Sequence, residues 1–313
     1  MTTTTGFTVN PALPESALKG ATRRTKQRLT SRGATIASLV IAVLWTIPTV
    51  GLFLTSIRPE VDTLRTGWWQ IFVNPTFTLE NYGNVLFGRD SLLGPFFNSI
   101  AISIPATVFP LVIATLAGYA FAWMKFKGRD ALFVLVFALQ IVPIQMALVP
   151  LLSLFSSGIT IGDTVLYEGL RGAGLFSQVW IAHTMFALPL AIYLLHNFIS
   201  EIPPDVIEAA RVDGASHGQI FFRIVIPLSL PAIASVAIFQ FLWVWNDLLV
   251  ALIFASGAAA PITRALAELT GEFGQNAELL PAGAFISILI PVTVFLVLQR
   301  YFVRGLLAGS TKG

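Results

Sequence analysis

Cysteine is absent from this chain, so disulfides and thiolate chemistry have no part in it, while the redox compartment stays open. Charge is the next shortage. Only 11% of the 313 residues are charged and 55% are hydrophobic, against about 25% charged in an ordinary soluble domain. So thin a supply cannot cover a water-facing surface. The glycines form no G-x-x-x-x-G-K-[ST] loop, so the chain has no cradle for nucleotide phosphates and is not expected to hydrolyse ATP. The H-E-x-x-H zinc-hydrolase pattern is missing too. His183 and His196 lie in an apolar run without Cys, Asp or Glu at metal-ligand spacing, so they are expected to pack or to mark a boundary, and no metal site is expected. The basic residues form no stripe interleaved with aromatics, which argues against a nucleic-acid partner.

What the chain has instead is long apolar runs. A bilayer core about 30 Å thick needs roughly 20 apolar residues as helix, and every backbone polar group inside it must be satisfied within the protein. Six such spans are predicted, over residues 34–57, 95–124, 131–155, 175–198, 226–254 and 281–303, giving an all-α membrane protein in contact with lipid. Residues 1–33 read as a flexible basic tail, 34–304 as the membrane domain and 305–313 as a C-terminal tail. Positive charge is retained on the cytoplasmic side of a membrane. With the N-terminus inside, fourteen of the nineteen Lys and Arg fall on the inner segments, so both termini are predicted to be cytoplasmic. In the first outer segment, Trp68, Trp69 and Phe72 suit a piece lying at the lipid headgroups. The loop at 255–280 contains Gly257, Gly271 and Gly274 around a short helical pattern and is expected to project from the membrane. Prolines recur inside the spans, at 48, 105, 110, 143, 150, 189, 231 and 291, and predict bent helices whose freed carbonyls are satisfied by neighbours.

Residues 199–225 are too polar to span and too patterned to be slack. Pro204 suits a first helical turn, Asp205 places negative charge near the positive end of the helix dipole, and Gly214 supplies a left-handed stop. Ser216 with Gln219 can form a capping box that starts a second short helix. The result is a compact knob on which the small residues Ala209, Ala210, Gly214 and Ala215 permit close approach by a partner.

The stretch EAARVDGA followed by FFRIVIPLSLP resembles the EAA motif of permease subunits of ABC importers, matching at Glu208, Ala209, Ala210, Asp213, Gly214, Ala215, Phe221, Ile224, Pro227 and Pro231. Ile226 stands where Leu is common, a volume-conserving change. ENYGNVLF, PFFNSIAIS, GYAFAWMKFKGRD, IVPIQMALVPLL, FQFLWVWNDLLVAL and the ending QRYFVRGLLAGSTKG look like the second permease of maltose and α-glucoside importers. The resemblance implies the transmembrane domain of a type I ABC importer in the plasma (inner) membrane of a prokaryote, with a sugar as cargo. Its implied partners are a second, different permease, a dimer of cytoplasmic ATP-binding subunits, and an extracellular or periplasmic sugar-binding protein. ATP and Mg belong to the ATPase; this chain itself is expected to bind no cofactor. The knob would dock on the ATPase, the loop at 255–280 would reach the binding protein, and the tail near 305–313 would touch the ATPase.

Asp247 interrupts an apolar stretch, and an ionisable group at membrane depth is costly unless it faces water or a partner. With Trp243, Asn246 and Trp245 it offers aromatic and polar surface of the kind a sugar ring uses, and positions 243 and 247 would share one helix face. Its plain alternative is a helix-to-helix hydrogen bond. Gln140, Gln145 and Asn98 are weaker pathway residues by the same reasoning. Two other readings stay open: the same machine with polyamine or phosphate as cargo, and an ion-coupled transporter working alone through Asp247 and His183.

Overall fold

The structure is a computed structural model describing residues 32–170, 174–269, 276 and 278–310. The tail expected at 1–33 lies outside these residues up to position 31, as do 311–313. The chain folds as α1 (Arg32–Ser56), α2 (Glu60–Arg65), a 3-10 turn (Trp68–Phe72), α3 (Glu80–Phe87), α4 (Leu93–Trp123), α5 (Arg129–Ala138) and α6 (Ile144–Ser157). After these come a hairpin of β1 (Ile159–Ile161) and β2 (Thr164–Tyr167), then α7 (Ser177–Ser200) and α8 (Pro204–Val212). The chain ends with α9 (His217–Trp245), α10 (Leu249–Phe254), α11 (Ile262–Leu269) and α12 (Leu280–Ser310).

Five of the described helices are long and apolar enough to cross a membrane unbroken, and α5 with α6 passes the same test only as a bent pair, the geometry of a broken span or a re-entrant loop. That is the first correction to the sequence reading. Residues 131–155 are not one helix, because α5 passes through a 3-10 turn at Leu139–Ile141 and α6 sets off at 102° to it. Pro143 is the cause: it has no N–H to continue the ladder, and Val142 before it is extended, with φ −70° and ψ 118°. A second correction concerns the fifth span, where the helix stops at Trp245 and α10 is separate. A third concerns the ends of helices. The helix starting at Ser216 is not a separate short piece but continues into the span through a π turn at Phe221–Val225, where Pro227 denies one carbonyl its usual donor. The last helix runs on to Ser310, with no break at 304.

The other prolines bend nothing so sharply, and three of them organise the bundle. Pro105, Pro110 and Pro291 each free the carbonyl four residues earlier, at Ala101, Ala106 and Ser287. Each of those carbonyls accepts from a side chain on another helix: Trp180 Nε1 to Ala101 at 3.0 Å, Gln240 Nε2 to Ala106 at 3.1 Å, and Trp245 Nε1 to Ser287 at 3.0 Å. The central pair is α4 with α7. Both run in the same direction, and their backbones come so close at Gly118 that a Cβ there would lie 3.1 Å from the His196 amide nitrogen. α9 packs across this pair, α12 packs on α9, and α1 lies outermost with Trp45 80% exposed.

Outside the spans, the segment after α1 is ordered by buried polar groups. The Arg58 guanidinium, on a residue 2% exposed, donates to the carbonyls of Thr66 and Asp62, while Asn81 Nδ2 donates to those of Ser56 and Arg58. Trp69 and Phe72 remain exposed, as a headgroup-facing piece requires. The described part of the loop at 255–280 does not project. α11 lies down on the bundle, with Ile262 buried among Val85, Leu92, Trp245, Ala282 and Ile286 and Leu269 buried as well; residues 270–275 and 277 are outside the described set. The hairpin was not expected, although β-branched residues flanking Gly162 and Asp163 are a hairpin signal.

Gln240→Leu is expected to destabilise the purified protein by about 1 kcal/mol, because it orphans the Ala106 carbonyl. In a Pro110→Ala background, where residue 110 regains its own N–H, the same change is expected to cost much less. Thermal unfolding in detergent of the four proteins of this cycle measures the difference; equal costs in both backgrounds would remove the proposed pairing.

Candidate functional site: a helical knob and a polar break at opposite ends of one helix

The knob is built from α8 and the start of α9. Pro204 occupies the first turn of α8 and Asp205 follows in that turn. The helix ends in a Schellman arrangement: the Gly214 amide donates to Arg211 O at 3.0 Å, the Ala215 amide donates to Ala210 O at 2.9 Å, and Gly214 has φ +80°. Ser216 then caps the next helix. Its Oγ accepts from the Gln219 amide at 3.3 Å while Gln219 Oε1 accepts from the Ser216 amide at 2.8 Å, closing the predicted box.

Residues 214–218 also spell G-x-S-x-G, the pattern of a serine-hydrolase elbow. The context refutes that chemistry, since Ser216 joins two helices, not a strand to a helix, and His217 points its Nδ1 at Tyr119 OH, 2.8 Å away.

One face of the knob is rooted in the bundle. Ile207, Ile220, Phe221 and Val225 are buried with Leu195, Ile199 and Tyr119 from α7 and α4. Arg211 donates to Trp123 O at 2.9 Å, and Trp123 Nε1 donates to Ile199 O at 3.1 Å, so the ends of α4, α7 and α8 are tied together. The opposite face carries Glu208, Ala209, Asp213 and Gly214, all exposed, with Ala210 and Ala215 half-buried beside them. An open depression of about 250 Å³ lies between Asp213, Gly214, Ala215, Gln219, Arg223 and Ile224. Small residues over a rigid root make a surface suited to docking, and no reactive constellation accompanies it.

The far end of α9 holds the second group. Asp247 does not sit on a helix, so positions 243 and 247 do not share a helix face as the sequence reading had it. The reason is local: the Asp247 carboxylate accepts from the Val250 and Ala251 amides at 3.0 and 3.1 Å and thereby starts α10. Trp243 and Asp247 nevertheless meet at the same partner. The His183 ring, 1% exposed, stands edge-on to Trp243 with centroids 5.5 Å apart, and its Nε2 is 3.7 Å from Asp247 Oδ2. The sequence reading treated His183 as a packing residue without an acidic neighbour; the fold supplies one from a distant part of the chain. Asn246 is exposed and donates to Leu242 O at 2.7 Å. Trp245 is buried and points into the helix interface. Gln140 and Gln145 are exposed on either side of the Pro143 elbow, whereas Asn98 is committed to the carbonyls of Ala258 and Ala260.

Comparison with known proteins matches residues 111–307 to the family described as the binding-protein-dependent transport system inner membrane component. The chain belongs to this family. It is 55% identical over 284 residues, covering 88% of this chain and 91% of the relative, to the osmoprotective compounds uptake permease protein GgtD of Synechocystis sp.. It is 50% identical over 245 residues to the alpha-glucoside transport system permease protein AglG of Rhizobium meliloti, covering 76% of this chain and 61% of that protein. Among solved structures it resembles a chain of a bacterial ABC transporter involved in the import of the acidic polysaccharide alginate, with a TM-score of 0.65 at 22% identity, over 87% of this chain and 98% of that one. The expected fold, a multi-pass ABC-importer membrane domain, is thereby established, and the chain is a transport subunit of the inner membrane rather than an enzyme. Membership of a binding-protein-dependent system sets aside the ion-coupled transporter working alone.

Ser216→Ala removes the cap of α9 and is expected to cost about 1 kcal/mol locally. Amide exchange at residues 217–220 should accelerate about fivefold, while exchange in α4 and α7 stays unchanged; uniform acceleration would mean that the cap supports the whole bundle instead.

Proposed function

We propose that this chain is the permease subunit of an ABC importer for a sugar of the α-glucoside class, forming half of the translocation pathway beside a second permease. The knob, through Glu208, Ala209, Ala210, Asp213, Gly214 and Ala215, couples the bundle to a separate ATPase dimer that carries the ATP and Mg. The observation that supports this best is the division of the knob into a root with Ile207 wholly buried and a face of small and acidic residues left bare. A docked partner pushing on that face moves the ends of α4, α7 and α8 together, because Arg211 and Trp123 join them. It also moves α9, whose 29 residues span about 43 Å of helix. The far end of that lever is the break at 246–248. There Trp243, Asn246 and Asp247 are placed to meet a polar cargo, with Gln140 and Gln145 at the second break as further polar groups of the pathway.

The α-glucoside assignment is supported by the 50% identity to the permease named for that cargo. The relative named for osmoprotective compounds supplies the competing cargo within the same machine. Uptake of labelled maltose by the reconstituted complex with its cognate binding protein separates them: saturable, ATP-dependent uptake supports the proposal, and uptake of a compatible solute in its place refutes the cargo.

The coupling role is tested by Gly214→Val in the same complex. A side chain at φ +80° loses about 1–2 kcal/mol and would turn the bare face away from its partner. Ligand-stimulated ATP hydrolysis and uptake are expected to fall together by at least about fivefold, the smallest coupling typical of linked sites. Ligand capture by the binding protein should be untouched. Wild-type stimulation in this variant would refute the coupling role of the knob.

A further inference from the structure

The break after α9 is joined to α11 by a set of bonds that neither the coupling knob nor the pathway reading uses. Asp247 takes part twice, since its carboxylate starts α10 and its backbone carbonyl accepts from Thr263 Oγ1 at 2.7 Å. The other end of α10 is closed from outside. Arg264 Nη1 donates to Leu252 O at 2.8 Å, one of the last carbonyls that a six-residue helix leaves open, and to Ala251 O at 3.3 Å, which also accepts from the Ala255 amide at 3.0 Å. Glu268 holds the guanidinium from behind, with Oε1 2.7 Å from Nε, one turn along the same helix.

On its other flank α11 is fastened to the start of α4. Ser99 Oγ accepts from the Ile262 amide at 2.8 Å, and Asn98 Nδ2 donates to Ala258 O and Ala260 O at 2.9 and 3.0 Å. Ile262 is fully buried at this seam. Residues 98, 99, 247, 263 and 264 therefore bind three short elements into one block at the end of the bundle opposite the knob. The block also meets α7, through Val250, Ala251 and Phe254 in one apolar cluster with Val179 and Ala182 and through His183 against Asp247.

We infer that Arg264 and Asp247 are positioning residues that make α10, α11 and the break at 246–248 a single rigid body, so that a partner bound over α11 shifts the membrane-depth site directly. This rests on the importer reading, in which a binding protein docks at this end. It goes beyond that reading in naming the bonds that carry the docking signal. The physical ground is that a segment pinned at both termini and on both flanks cannot move without its neighbours, whereas a slack loop absorbs the movement.

The chain lacks cysteine, so spin labels at Leu252→Cys and Ala267→Cys report the spacing of α10 and α11 without background from this subunit. In the reconstituted complex their separation is expected to stay within about 2 Å between the nucleotide-free state and the state with binding protein and ATP, the scale of a packed interface at rest. Arg264→Gln is expected to broaden that distribution, to lower binding-protein stimulation of ATP hydrolysis at least about fivefold and to leave basal hydrolysis unchanged. Arg264→Lys, which keeps a donor for Leu252 O but loses the fork shared with Glu268, should restore part of the stimulation. A wild-type shift of about 5 Å between the two states, the size of a one-turn slide, overturns the inference. So does Arg264→Gln with full stimulation, even with reduced thermal stability. The importer reading fails on a different observable, namely absence of binding-protein stimulation in the unmodified complex, and the label distances stand apart from that result.

Discussion

The bundle depends on how carbonyls freed by proline are satisfied where there is no water. In a bilayer an unpaired backbone carbonyl is a large cost, and apolar burial between helices offers little drive, because lipid is as apolar as leucine. Pro105, Pro110 and Pro291 each create such a carbonyl, and Trp180, Gln240 and Trp245 each answer one from another helix. Every pair fixes two helices at a stated height. Trp180 sets α7 against α4, Gln240 sets α9 against α4, and Trp245 sets α9 against α12. The prolines thus act as addresses for neighbouring helices, while the near contact of α4 and α7 further along is allowed by the missing side chain of Gly118.

α9 receives two of these three ties, close together near the end that stops at Trp245. Its other end is the knob. A helix anchored near one end and carrying a docking surface at the other transmits displacement along its length, and the π turn at Phe221–Val225 is the place where it is least regular. Beyond Trp245 the chain turns, and Asp247 spends its carboxylate on the amides of α10 while facing His183. The polar break and the knob are consequently two ends of one helix, and the proposed coupling runs along its length.

The knob was legible because its signals are local. Pro204, Asp205, Gly214, Ser216 and Gln219 act within a turn or two of their positions, and each does what its spacing predicts. The spans were legible by length and apolarity. The two breaks were less so. Pro143 carries the same mark as Pro105 and Pro110, yet its helix breaks by 102°, while α4 runs unbroken through both of the others, each with a donor from a neighbouring helix on the carbonyl it frees. Which proline has a donor is a tertiary fact. Asp247 interrupts a run that otherwise reads as helix to Phe254, and nothing nearby in sequence announces that its carboxylate prefers the amides of the next turn. His183 was read as a packing residue because its acidic partner lies in another helix's extension. α11 was expected to stand away from the membrane, and its burial depends on Val85, Leu92 and Ile286 from three separate elements. The hairpin at Gly162 did carry a local signal, hidden by its place in a short connection.

The most direct measurement of the central claim is a double-mutant cycle across the pair that ties α9 to α12. Trp245→Phe removes the indole donor, and Pro291→Ala returns an N–H to the Ser287 carbonyl. If the carbonyl freed by proline is what holds the indole, the hydrogen-bond part of the cost of Trp245→Phe, about 1 kcal/mol, disappears in the Pro291→Ala background, and binding-protein stimulation lost in the single variant returns in the double. A cost of Trp245→Phe that is the same in both backgrounds would contradict the account, since it would leave only the ring's packing and no role for the freed carbonyl.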